Sequence, residues 1–223
     1  LVCASFVLLC YLVYFLVIYL PNSRLESDAR KAMASAAKIL DPGRELREAQ
    51  AAFEYTPSAQ NQMRLAAALL NAGQAAEAAQ HYQACLQGAL AADPDIQLGA
   101  ARAQAACGQF DAAIARLRAL RDSRPDFRSE ELALLLAQAL ASAGHKHEVL
   151  REYEAAMARF GSFQSKAECF LWAVAAGERE LAGRLQIELQ KTTDRWNRHT
   201  RQLNADLLRR LNAGYAMIRQ SAT

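Results

Sequence analysis

Residues 94–127, PDIQLGAARAQAACGQFDAAIARLRALRDSRPDF, decide the fold. Asp93 precedes Pro94 as an N-cap oxygen ahead of a residue whose fixed φ suits the first helical turn. The second half sets Phe110, Ala113, Ile114, Leu117 and Leu120 at the three- and four-residue spacing of one buried helix face. Between the halves lies Gly108, which can take the left-handed conformation that closes a helix at little steric cost. The stretch therefore reads as helix, glycine turn, helix.

The layout recurs on both sides. Asn71-Ala72-Gly73-Gln74, Ala143-Gly144-His145 and Ala176-Gly177-Glu178 each end one apolar-periodic segment and open another. Gly73, Gly108, Gly144 and Gly177 thus follow at intervals of 35, 36 and 33 residues. Small residues after the turns (Ala78, Ala113, Ala182) let paired helices approach closely. Leu69, Tyr82, Phe110, Ile114, Leu117, Leu136, Leu140 and Tyr153 fill the space between repeats. Helices are predicted over 24–40, 42–55, 57–72, 75–90, 94–107, 110–123, 129–143, 146–159, 163–176, 178–192 and 195–213. Asp41-Pro42 and Thr56-Pro57 offer further caps, and Ser23-x-x-Glu26 a capping box. No strand pattern competes.

A period near 34 with glycine between two helices is the tetratricopeptide signature. Residues 94–127 resemble that family most closely, with Gly108, Phe110, Ala113, Leu117, Leu120 and Pro125 at consensus places. The first-helix Trp and several consensus tyrosines are missing. The resemblance implies an all-α, right-handed superhelical solenoid of antiparallel helix pairs. More narrowly, LVYFLVIYLP followed by DPGRELREAQAAFEYTPSAQNQMRLAAALLNAG and a basic terminal helix resembles a family of uncharacterised bacterial membrane proteins with divergent tetratricopeptide repeats. That resemblance implies an inner-membrane anchor and a repeat domain, and brings no known activity.

The first twenty residues, LVCASFVLLCYLVYFLVIYL, carry no charge. At about 1.5 Å per residue they span roughly the 30 Å of a bilayer core. A cleaved signal peptide is the rival, but a basic n-region is missing and Pro21-Asn22-Ser23 is no small-residue cleavage site. The expected organisation is a transmembrane helix at 1–20, a juxtamembrane linker and helix at 21–41, repeats at 42–194, and a basic C-terminal capping helix and tail at 195–223. The chain opens on Leu1 rather than Met, which leaves room for an upstream segment. Arg24, Arg30, Lys31, Lys38 and Arg44 follow the span, so the positive-inside tendency places the repeats in the cytoplasm, on a single-pass protein of a bacterial inner membrane.

Net charge is only +3, which excludes a global field for nucleic acid. Of the five cysteines, Cys3 and Cys10 fall in the apolar stretch, and Cys85, Cys107 and Cys169 are far apart in helical patterns. They read as reduced, buried thiols rather than a disulfide framework. His145-x-His147 lacks a third ligand at metal spacing, and no phosphate-cradling glycine loop or nucleophile elbow is present. The expectation is no enzyme, no metal, no cofactor and no small-molecule substrate.

What remains is surface. In tetratricopeptide arrays the first helix of each pair lines a concave groove. Its inward positions here are Gln60, Met63, Asn71, Leu98, Arg102, Leu134, Gln138, Ser142, Gln164 and Leu171. Met63 and Ala67 replace the carboxylate-clamp pair of the subfamily that grips chaperone C-termini, so that ligand is not expected. The C-terminal segment carries Arg195, Arg198, Arg201, Arg209 and Arg210 beside Trp196 and His199, a solvating cap or a basic surface. The function expected is a membrane-anchored protein-interaction scaffold, with the bilayer met through residues 1–20. The alternative is a structural or regulatory subunit of an envelope complex acting through the basic C-terminal helix.

Overall fold

The computed structural model describes residues 43–88 and 90–220. The expected membrane span, the juxtamembrane helix, the Asp41 cap and the Ser23 capping box lie outside these residues. Among the described residues every regular element is helical, and no helix is long and apolar enough to cross a membrane. The chain divides into two compact units, Leu1–Gly73 and Gln74–Thr223.

In the first unit α1 (Arg44–Tyr55) packs against α2 (Ala59–Asn71). Apolar positions Ala49, Leu65, Ala66, Ala68 and Leu69 are buried. The expected Thr56 cap is replaced by Ser58, whose hydroxyl accepts from the Asn61 amide at 3.2 Å. Thr56 is extended, so Pro57 falls outside the helix, and the Asn61 side-chain amide instead donates to the carbonyls of Thr56 and Ala52 at 2.9 and 3.2 Å.

The second unit holds α3 (Ala75–Leu86), α4 (Pro94–Ala106), α5 (Phe110–Ser123), α6 (Ser129–Ser142), α7 (Lys146–Phe160), α8 (Phe163–Ala176), α9 (Arg179–Thr193), α10 (Arg198–Leu203) and α11 (Ala205–Gln220). Each helix from α3 to α8 packs on the next. Contacts of α4 with α6, α6 with α8 and α8 with α11 line these four up in a row. Predicted cap Asp93 accepts from the amides of Asp95 and Ile96 at 2.9 and 3.2 Å.

The glycine turns have one mechanism. Gly73, Gly108, Gly144 and Gly177 all have φ between 76° and 81°. At the last three, the residue after the glycine donates back across the helix end: Gln109 to Gln104 at 2.9 Å, His145 to Leu140 at 3.0 Å and Glu178 to Ala173 at 2.8 Å. This closes carbonyls that would otherwise lose their intrahelical partners.

Ala78, Ala113 and Ala182 are buried, as are Tyr82, Ile114, Leu117, Leu136, Leu140 and Tyr153, while Phe110 is only half-buried. Two further boundaries differ from expectation. The helix expected over 75–90 stops at Leu86, ahead of Gly88. The helix expected over 195–213 is two, because Asn197 caps α10 and Asn204 interrupts, turning its side-chain amide onto the Thr200 carbonyl at 2.9 Å. Leu207, Leu211 and Tyr215 of α11 join the buried cluster of α4–α9, and the Tyr215 ring packs at a tilt against Phe170 with ring centroids 5.0 Å apart.

Candidate functional site

A cavity of about 730 Å³ opens on the row formed by α4, α6 and α8. Its first wall is organised around Glu131 in the opening turn of α6. Arg102 of α4 pairs with this carboxylate, and Arg128 reaches it at 3.5 Å while also meeting Asp95 at 2.7 Å. Burial holds the Arg102 guanidinium below its ordinary range, with the charge of Arg128 acting in the same direction. Arg128 itself has φ 39°, a left-handed conformation unusual for a residue with a side chain. It holds the turn into α6 while its guanidinium lies 5.5 Å from the Phe127 ring centre.

The opposite wall is built from the start of α8. Ser162 caps this helix, accepting from the Ser165 amide at 3.0 Å, and its hydroxyl donates to Glu130 Oε1. The fully buried Ser165 hydroxyl donates to the same oxygen at 2.6 Å. One turn along α8, Glu168 is almost completely buried, and Arg210 of α11 grips it through two parallel bonds of 2.8 Å. Gln164 donates to it at 3.1 Å and Gln138 approaches at 3.4 Å. The four donors offset the cost of removing a carboxylate from water. The bond to Glu168 in turn raises the Arg210 pKa.

Of the groove residues expected from the sequence, Arg102, Leu134, Gln138 and Gln164 line this one cavity. Leu98 does not: it is 1% exposed, turned into the core because its position on α4 faces α5 and α6. Ser142 is exposed at the end of α6, and Leu171 is half-buried against the core. Gln60 and Asn71 are exposed and Met63 half-buried in the first unit. All five arginines of the expected basic surface are exposed, and three of them have partners. Arg210 is consumed by Glu168, Arg209 pairs with Asp206, and Arg201 donates to the Thr193 and Trp196 carbonyls at 2.9 and 3.2 Å.

Sequence reading missed Glu130, Glu131, Arg128 and Glu168. For Glu168 there was a signal, a lone carboxylate in the apolar run Ala167–Ala176, whose burial demands a partner. Nothing local marked the others, which meet across more than one helix. His145 bonds Glu148 at 2.9 Å at the start of α7, and this contact, with a lesser one from Arg118, holds the Glu148 carboxyl below its ordinary range.

Three comparisons bear on this architecture. The family described as "Tetratricopeptide repeat" matches residues 69–139. No curated protein matches the chain. Among solved structures, the fold is similar to that of a thermophilic TPR protein of Thermus thermophilus, with a TM-score of 0.62 and 13% identity over 84% of this chain and 98% of that one. At that identity the likeness concerns fold alone, and it agrees with the glycine turns and the stacked helices. Residues 69–139 thus match the tetratricopeptide repeat, and the chain shares the fold of a TPR protein.

Proposed function

We propose that the chain is a protein-interaction scaffold whose α4–α6–α8 cavity holds a segment of another protein, and that residues 1–20 tether it to a bilayer. Tetratricopeptide repeats generally mediate contacts between proteins. The observation that carries the reading is the cavity itself. Its rigid polar side chains stand beside apolar Leu134, Leu135 and Phe160, and it crosses three successive helices of the row. A polar frame around apolar contacts suits an extended segment, with the apolar part supplying affinity and the fixed polar groups supplying register.

The anchor rests on the uncharged run at 1–20 and the basic residues after it, which together favour repeats on the cytoplasmic face of a bacterial inner membrane. Two measurements test the reading. Proteins captured from solubilised membranes by the chain are compared with those captured by a double variant, Arg102→Ala with Gln138→Ala. Specific partners should be lost from the variant, and an identical set in both removes the cavity from consideration. Alkaline carbonate should leave the whole chain in the membrane pellet and release a form lacking residues 1–20; release of both refutes the anchor.

A further inference from the structure

Resting on that reading, we infer that the cavity selects a partner segment carrying a lysine or arginine side chain next to an apolar one, with the cation seated on Glu130. The charge balance of the walls points this way. Four carboxylates and two guanidinium groups line the cavity. Both guanidinium groups already have carboxylate partners, Arg102 on Glu131 and Arg128 on Asp95 and Glu131, so neither is available to an acidic ligand. Glu168 is likewise occupied, by Arg210 and two glutamine amides. Asp126 lies fully exposed at the rim, with Arg159 4.0 Å away.

Glu130 differs from all of these. It is half-buried, and among the described residues its bonds come from two serine hydroxyls, both directed at Oε1. It has no cationic partner there. One of those hydroxyls belongs to the fully buried Ser165 and the other to the cap of α8, so the carboxylate is oriented before any ligand arrives. Preorganisation of this kind lowers the ordering cost of binding, and a charge-assisted bond from an ammonium or guanidinium group is the strong contact such an oxygen can make. The stem of a lysine or arginine would lie along apolar wall, leaving its charged end at the carboxylate. An acidic segment would instead meet an unneutralised carboxylate in a partly desolvated space, which repels it.

The test uses a library of dodecapeptides with one fixed leucine and all residue types at the neighbouring positions, passed over the immobilised full chain in detergent. The retained pool should be enriched about tenfold in lysine or arginine over aspartate or glutamate at one neighbour of the leucine. Glu130→Gln keeps an oxygen for the serines but removes the charge, and should abolish that enrichment while leaving the thermal midpoint nearly unchanged. Rising salt should weaken retention of the basic peptides by the unsubstituted chain, a readout independent of any variant. Enrichment in acidic residues, enrichment that survives Glu130→Gln, or salt-insensitive retention overturns the inference. A pool without basic enrichment that is still lost in the Arg102/Gln138 double variant sinks only the cation preference. An empty pool counts against the cavity reading as well.

Discussion

At Gly99 the absent side chain is a packing requirement. The ring of Tyr82, on α3, lies where a Cβ on this α4 residue would sit, so the two helices close only because the position is bare. Gly108 is different: a Cβ there meets nothing within 4 Å, and the demand comes from its φ of 76°. Gly99→Ala is therefore expected to cost about 2 kcal/mol or more through overpacking. Gly108→Ala should cost about 1 kcal/mol, from backbone strain. Urea unfolding of the two variants separates these causes, and equal losses would contradict this assignment. Cys169 makes a second prediction. Burial, reinforced by the charge of Glu154, pushes its thiol up from 9.0 to about 12. The folded state thus favours the protonated thiol, and this contribution to stability is complete below pH 9 and lost as pH rises through about 12. Peptide mapping after iodoacetamide at about pH 8 should find the half-buried Cys107 modified well before Cys85 and Cys169. The Tyr82 contact escaped sequence reading, since no local pattern encodes it, whereas the burial of Cys169 was expected and only the half-buried Cys107 departs from that expectation.

Among the elements, α8 has a start that is tied to a neighbouring helix. Its Ser162 cap closes the helix and also ties it to α6 through Glu130. Ser162→Ala should lower stability by about 1–2 kcal/mol, as loss of a cap does. Ser162→Asp keeps a capping oxygen but sets a second carboxylate against Glu130, and should recover little of the loss. Thermal unfolding of both variants checks this, and full recovery by aspartate would show that the tie to Glu130 is unimportant. Helix positions were mostly legible because periodicity and glycine are local. Caps were less so: Asp93 acts as its sequence suggests, whereas Thr56 yields to Ser58 once Pro57 is held outside α2. The break at Asn204 was equally hidden, because it needs α11 to turn Leu207, Leu211 and Tyr215 onto the core.

For the second unit as a whole, α11 is the closing element. It covers α8 with Leu207, Leu211 and Tyr215, and Arg210 completes the satisfaction of Glu168. Deleting residues 205–223 should expose the Phe170 surface and leave Glu168 buried without its cation, so the truncated chain is expected to bind the dye ANS and lose cooperative melting. A truncation melting like the whole chain would show α11 to be an appendage. Because this deletion damages the fold, a role for the basic end is better probed with Arg195→Ala and Arg198→Ala, which stay exposed. The sequence by itself determined the all-helical class, the repeat period, the four turns and most of the Ala-and-Leu core. These follow from side-chain spacing and from the conformational freedom of glycine, both properties of short stretches of chain. Only the tertiary structure decided which charges are spent and which remain. Arg102, Arg128 and Arg210 look equally basic in the sequence, but each is neutralised by a carboxylate from another helix or turn, while among the described residues Glu130 is met by hydroxyls alone. Electrostatic pairing depends on distances of a few ångströms between residues about 30 to 40 positions apart, and the packing of helices sets those distances.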